Sequence, residues 1–96
     1  MIVHIVMFKF KEENRDQNIK IVQQKLNELV EKIDVLKSME VGVDFNGSQR
    51  AFDLSLYSTF ESKEELKAYA THSEHLKVVT LIKEVTLESK VVDYNT

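Results

Sequence analysis

The chain has 96 residues, which is enough for one domain with a small hydrophobic core and too few for two domains. Its formal charge is −3, from 13 basic and 16 acidic side chains, and the lysines are interleaved with glutamates. That pattern is typical of solvated helix faces and argues against a nucleic-acid partner, which requires clustered positive charge. The absence of cysteine excludes disulfides, thiol nucleophiles and zinc–thiolate sites.

The N-terminal residues are used to predict where the protein resides. The low glycine and proline content is used to predict how many domains it has. Met1 to Ile5 leads directly into a strand pattern, without a basic n-region or a cleavage site. No apolar run approaches the roughly 20 residues that a membrane span needs. There are no prolines and two glycines, and no linker or repeat is visible. We therefore expect a single cytoplasmic domain over residues 1–96 that does not enter a membrane.

The first predicted element is a strand over residues 2–10, because β-branched and aromatic residues dominate this segment. Both faces of the strand are apolar, so it is expected to be central in its sheet or covered by a partner. One face carries Val3, Ile5, Met7 and Lys9, and the other carries His4, Val6, Phe8 and Phe10. Residues 14–33 follow as a predicted helix with one aliphatic stripe, capped by Asn14 or Asp16.

The middle of the chain predicts a β-hairpin. Apolar and polar residues alternate over residues 39–45 and again over residues 52–60, as in two half-buried strands. Asn46-Gly47 lies between them and is a turn signal.

Two helices and a last strand are predicted in the C-terminal part. Ser62-x-x-Glu65 matches a capping box at the start of the first helix. Residues 71–73 interrupt the helical pattern, and Ser73 is expected to cap the second helix. The inward-facing residues of that helix are expected to be Leu76, Val79, Ile82 and Val85. Residues 90–94 form the predicted closing strand.

This order of elements predicts an α+β fold of the ferredoxin-like type, an antiparallel sheet with helices on one face only. The other face of the sheet would expose apolar side chains to water. Those expected there are Val3, Ile5, Met7, Tyr57 and one of the pair Val91 and Val92. An exposed apolar surface of that extent usually contacts a partner. We therefore predict a homodimer in which the two sheets face each other, as in a dimeric α/β barrel.

Four segments resemble the stress-responsive A/B barrel (Dabb) domain. They are Val3-His4-Ile5-Val6-Met7-Phe8-Lys9-Phe10-Lys11, Phe52-Asp53-Leu54-Ser55-Leu56 with Phe60-Glu61-Ser62, Tyr69-Ala70-Thr71-His72-Ser73-Glu74-His75, and Val91-Val92-Asp93-Tyr94. The third is similar to the family signature Y-x-x-H-P-x-H, with Ser73 in place of the proline. Serine at a helix cap and proline in a first turn both mark a helix start, so we expect a similar backbone. The resemblance implies a dimer with a pocket between sheet and helices in each subunit.

The resemblance also implies which residues form the functional site. Some relatives are polyketide cyclases that use a tyrosine and a histidine at the positions matching Tyr69 and His75; related dimeric α/β barrels include cofactor-free monooxygenases and haem-handling proteins. A tyrosine could donate a hydrogen bond to a carbonyl or enolate oxygen, and a histidine could remove the proton beside that carbonyl. We therefore predict His75 and Tyr69 as catalytic residues. His4, His72 and Phe8 are the predicted binding residues for a small apolar or carbonyl-containing ligand.

Three functions remain open from the sequence. The first is a homodimeric small-molecule-binding protein, the second is a cofactor-independent enzyme that cyclises or isomerises a carbonyl compound, and the third is a structural dimerisation module. In the structural interpretation His72 caps a helix, His4 is a hydrogen-bonded core histidine, and Tyr69 is a core side chain. No cofactor or metal is predicted, because His72 and His75 flank a helix break and do not form a ligand-spacing motif.

Overall fold

The computed structural model describes all residues from 1 to 96 and contains a four-stranded antiparallel sheet with the strand order β2-β3-β1-β4. The elements in chain order are β1 (Ile2–Phe10), α1 (Arg15–Lys32), β2 (Ser38–Val43), β3 (Leu54–Phe60), α2 (Lys63–Ala70), α3 (Ser73–Val85) and β4 (Thr86–Asn95). This arrangement confirms the predicted ferredoxin-like α+β fold, with β1 and β3 as the central strands.

The core lies between the helices and one face of this sheet. The even-numbered residues of β1 face the helices, and Phe10 and Phe60 are completely buried there. The predicted stripe of α1 packs against them through Ile19, Val22, Leu26 and Leu29, whereas Val30 is 38% exposed at the edge of the stripe. One apolar helix stripe packed on one apolar sheet face buries both apolar surfaces in two layers, without a third.

The other face of the sheet is uncovered. Side chains at paired positions of neighbouring strands share a face, so Val92, which is paired with Ile5, belongs to this face. Val91 is paired with Val6 and points to the helix side. The most exposed large apolar side chains of the open face are Met7, Tyr57, Val92 and Tyr94, each between 41% and 52% exposed.

One residue of the open face differs from the expectation. Val3 is only 2% exposed, although it lies on the uncovered side. Its cross-strand neighbours on either side are Thr59 and Tyr94. The exposed apolar surface is therefore centred further along β1, around Met7.

The hairpin is present, but its strands are shorter than predicted. Strand β2 ends at Val43, and the next residue, Asp44, accepts a hydrogen bond on its carboxylate from the Gly47 N–H at 2.7 Å. Gly47 has φ +65°, which glycine adopts without strain. The chain leaves the sheet in this turn, and Phe45 is consequently fully exposed instead of continuing the alternation.

The helix starts confirm one predicted cap and correct another. The Ser62 hydroxyl accepts a hydrogen bond from the Glu65 N–H at 3.2 Å, as the capping-box pattern predicts. Helix α3, in contrast, is capped by His72 and not by Ser73, because the His72 Nδ1 accepts a hydrogen bond from the Glu74 N–H at 3.1 Å.

Two further differences concern the C-terminal part. The sequence predicts that Leu76 of α3 faces inward, but this residue is 49% exposed and Val78 is buried instead. Strand β4 begins at Thr86, directly after α3, and is longer than the predicted segment 90–94. No helix of the protein combines the length and the apolar character that crossing a bilayer requires.

Candidate functional site

A cavity of about 230 Å³ lies between helices α2 and α3 and the helix-facing side of β1. It forms here because β4 is an edge strand that the helices cover only in part, leaving a cleft beside β1. Four of the five predicted site residues line this cavity. They are His4, Phe8, Tyr69 and His75, and Lys83 and Ser89 lie at its polar side.

Tyr69 lies in the last turn of α2 and is 1% exposed. Its ring packs against Phe60 at a centroid distance of 5.0 Å and against His75 at 4.2 Å. Its hydroxyl is buried and has no hydrogen-bond partner in the protein. A buried hydroxyl without a partner costs roughly 1–3 kcal/mol, so a ligand acceptor would relieve a penalty of that size.

The protonation state of Tyr69 follows from the same burial. Desolvation raises the pKa of the phenol well above its ordinary range, because the charged phenolate is disfavoured in an apolar environment. The hydroxyl therefore keeps its proton at neutral pH and is available as a hydrogen-bond donor.

His75 lies in the first turn of α3, facing the end of α2. Its Nδ1 is 3.0 Å from the carbonyl oxygen of Ala70. Because a carbonyl oxygen only accepts, Nδ1 carries the proton, and Nε2 is the basic nitrogen of the neutral ring. Nε2 has no hydrogen-bond partner in the protein and is not buried, so a ligand can reach it.

Burial also lowers the pKa of His75, since the imidazolium is poorly solvated beside Tyr69. The hydrogen bond to Ala70 opposes this effect, and the nearby positive charge that His4 and His72 can carry adds to it. The net direction is downward, so His75 is neutral at pH 7 and can act as a base.

His4 approaches the cavity from β1. Its Nδ1 donates a hydrogen bond to the Asp93 carboxylate, which lies directly opposite it on β4. The His4 and Tyr69 rings form a T-shaped pair at a centroid distance of 6.5 Å. A carboxylate bonded to one ring nitrogen fixes the orientation and tautomer of an imidazole, so Asp93 holds His4 against the cavity wall.

The predicted residues are therefore not all brought together. Phe8 forms part of the apolar wall of the cavity, and its role as a binding residue stays a prediction. His72 does not line the cavity, because its side chain is used as the cap of α3. Asp93 is a site residue that the sequence did not predict. The only signal for it is the strand register that sets it opposite His4, which a single sequence does not show.

These groups can act together on a carbonyl compound. The Tyr69 hydroxyl can donate to the carbonyl oxygen, and the His75 Nε2 can accept a proton from the neighbouring carbon. No three His, Asp or Glu side chains of the chain are grouped closely enough to hold a metal ion.

Two curated relatives, both from Arabidopsis thaliana, cover most of this chain. One stress-response A/B barrel domain-containing protein is 37% identical over 79 residues, which are 82% of this chain and 30% of that relative. The stress-response A/B barrel domain-containing protein DABB1 is 30% identical over 97 residues, which are 98% of this chain and 46% of DABB1. The chain thus spans less than half the length of either relative.

Two solved structures show the same fold as this chain. A dimeric protein of unknown function and ferredoxin-like fold from Bacteroides fragilis has a TM-score of 0.81 and 30% identity, covering 99% of this chain and 95% of that one. A hydroxynitrile lyase from Passiflora edulis has a TM-score of 0.86 and 18% identity, covering 97% and 90%. At 18% identity the likeness shows the fold alone.

The family model of the stress-responsive A/B barrel domain matches residues 2–96, which include all four segments in which the sequence resembles that domain. The matched region contains β1 with His4, the helix break with Tyr69 and His75, and β4 with Asp93. The chain therefore belongs to the stress-responsive A/B barrel domain family.

Proposed function

We propose that this domain binds a small carbonyl-containing molecule in the cavity lined by Tyr69, His75 and His4. The observation that carries the proposal is the buried Tyr69 hydroxyl, which has no acceptor in the protein, on a residue that lines the same cavity as His75. A ligand carbonyl would supply the missing acceptor, and the apolar wall around Phe8 would hold the rest of the molecule. A cavity lined by both residues argues against a purely structural module.

The binding proposal is tested with two probes of similar shape, acetophenone and ethylbenzene, of which only the first has a carbonyl. We expect the wild-type protein to bind acetophenone about two- to tenfold more tightly, because a net hydrogen bond contributes about 0.5–1.5 kcal/mol. Tyr69→Phe is expected to bind both probes equally. Tyr57→Phe, on the open face of the sheet, is the matched control and is expected to keep the preference. Affinities are measured by calorimetric or NMR titration.

Two results would contradict the binding proposal. One is the absence of saturable binding at the NMR signals of His4, Tyr69 and His75. The other is a preference for acetophenone that survives in Tyr69→Phe, since the carbonyl would then be recognised elsewhere.

The second candidate function is a cofactor-independent enzyme acting on the same carbonyl ligand. It is favoured by the hydrogen bond that fixes the His75 tautomer and by the lowered pKa that keeps this ring neutral. His75 would take the proton from the carbon beside the carbonyl. The electron pair left behind would form an enolate whose oxygen accepts from Tyr69.

The proposal includes a homodimer in which the open faces of two sheets pack together. It rests on the exposed side chains of Met7, Tyr57, Val92 and Tyr94, which form a contiguous apolar group on one side of the sheet. The Bacteroides fragilis protein, which shares this fold, is dimeric. The partner that fits this face is a second copy of the chain, because a two-fold axis places the same apolar surface on both sides of the interface. A cytoplasmic location remains a prediction from the sequence.

A further inference from the structure

A second cavity, of about 460 Å³, lies beside the first, between α2 and the ends of β1 and β4. Its apolar part is formed by Ile2, Leu66, Ala70 and Tyr94. Lys63 and Lys67 line it from α2, and Asp93 lines it from β4. The combination of an apolar floor with two cations on one side suits a ligand that is itself amphipathic and negatively charged.

The two lysines have no acidic partner. Lys63 and Lys67 are four residues apart on α2 and line the same cavity, yet neither forms a salt bridge or a side-chain hydrogen bond. Like charges at this spacing repel each other. On α1, in contrast, Lys25 and Lys32 both pair with Glu28.

The acidic residue of this cavity, Asp93, forms no salt bridge with Lys63 or Lys67. The Asp93 carboxylate is engaged in the hydrogen bond from His4, as described for the first cavity. An anion placed between Lys63 and Lys67 would pair with both ammonium groups and relieve their repulsion. Its apolar part could then lie over Leu66 and Ala70.

We propose that this second cavity binds an aliphatic carboxylate, with the carboxylate on Lys63 and Lys67 and the alkyl chain on Ile2, Leu66 and Ala70. The site is distinct from the first cavity, and its occupancy does not depend on the function proposed there. The two cavities nevertheless share walls. Ala70 belongs to the second cavity and its carbonyl holds His75 of the first, while Asp93 holds His4.

The test uses octanoate as the probe and octanol as its uncharged control, titrated into the labelled protein and followed by amide NMR. We expect octanoate to shift the signals of Leu66 and Ala70 and to bind about three- to tenfold more tightly than octanol, since each exposed lysine adds a weak ion pair to its carboxylate. Raising the salt concentration is expected to reduce the difference between the two probes.

Three variants locate the anion. The double variant Lys63→Gln/Lys67→Gln is expected to bind octanoate about three- to tenfold more weakly, approaching octanol, because both lysines are exposed and ion pairs with exposed lysines are individually weak. Ala70→Leu is expected to weaken both probes, because the larger side chain occupies the apolar part of the cavity. Lys83→Gln removes an unpaired lysine of the first cavity and is expected to leave octanoate binding unchanged. An unchanged amide spectrum without ligand shows that each variant is folded.

Three outcomes would overturn the proposal. Equal affinity for octanoate and octanol would mean that the lysines recognise no anion. A loss of octanoate binding in Lys83→Gln, with the double variant unaffected, would place the anion in the first cavity. Unchanged octanoate binding in both Ala70→Leu and the double variant would exclude the second cavity as the site.

Discussion

If the domain is the proposed cofactor-independent enzyme, His75→Asn is expected to abolish most of the proton exchange at the carbon beside a bound carbonyl. Asparagine can still donate a hydrogen bond to the Ala70 carbonyl, but it lacks the basic Nε2 that would remove the proton. General base catalysis by a positioned side chain contributes about 10²- to 10⁴-fold, and a loss of that size is expected. The measurement is the rate at which the methyl protons of acetophenone exchange in D₂O, followed by NMR.

The matched control is the same substitution at the neighbouring histidine. His72→Asn keeps a residue that caps helices well and leaves the cavity intact, so exchange is expected to stay near the wild-type rate. Equal losses in the two variants would show that the effect is structural. Wild-type protein that does not accelerate exchange at all would remove the enzymatic candidate while leaving the binding proposal to its own test.

The pH dependence of the exchange rate has a definite sign. The reaction needs neutral His75, so the rate is high above the pKa of this ring and falls below it. Because burial lowers that pKa from its ordinary value of about 6.5, the fall is expected at a pH lower than 6.5. A midpoint above 6.5 would mean that the ring is not buried beside Tyr69 when it acts.

Val92→Glu is expected to convert the homodimer into a monomer. Val92 is 52% exposed on the open face beside Ile5, where the second sheet would cover it. Burying an unpaired carboxylate costs several kcal/mol, and the two-fold dimer would bury two of them, so the dissociation constant is expected to rise by more than about 10³-fold. Sedimentation at micromolar concentration distinguishes the two states.

The adjacent residue provides the control for the dimer. Val91 is on the same strand and is 61% exposed, but it points to the helix side of the sheet. Val91→Glu is therefore expected to remain dimeric. A wild-type protein that sediments as a folded monomer, or a Val91→Glu variant that dissociates as readily as Val92→Glu, would contradict packing through the open face.

The sequence predicted those parts of the fold that depend on local patterns. The two apolar faces of β1 indicated a central strand, and the Ser62-x-x-Glu65 pattern located the start of α2, because both signals arise within a few residues. The full length of β4 was not predicted. It is an edge strand whose residues 86–90 are largely polar and exposed, so no alternation marks its beginning.

The residues of the candidate site could be predicted from the sequence, but the hydrogen bonds between them could not. Tyr69 and His75 follow from the short segment around the helix break, and the structure brings both to one cavity with His4. The role of Asp93 depends on the register between β1 and β4, which joins residues 89 positions apart. His72 caps α3 in place of Ser73 because the helix begins one residue earlier than predicted. Helix propensity does not locate a helix start to within one residue.

A crystal structure of the protein with acetophenone tests the central claim most directly, because it locates the ligand relative to Tyr69. The account predicts the carbonyl oxygen within hydrogen-bonding distance of the Tyr69 hydroxyl, about 2.5–3.0 Å, and the methyl carbon facing the His75 Nε2. A Tyr69 hydroxyl bonded to an acceptor within the protein, with acetophenone seated outside this cavity, would contradict it.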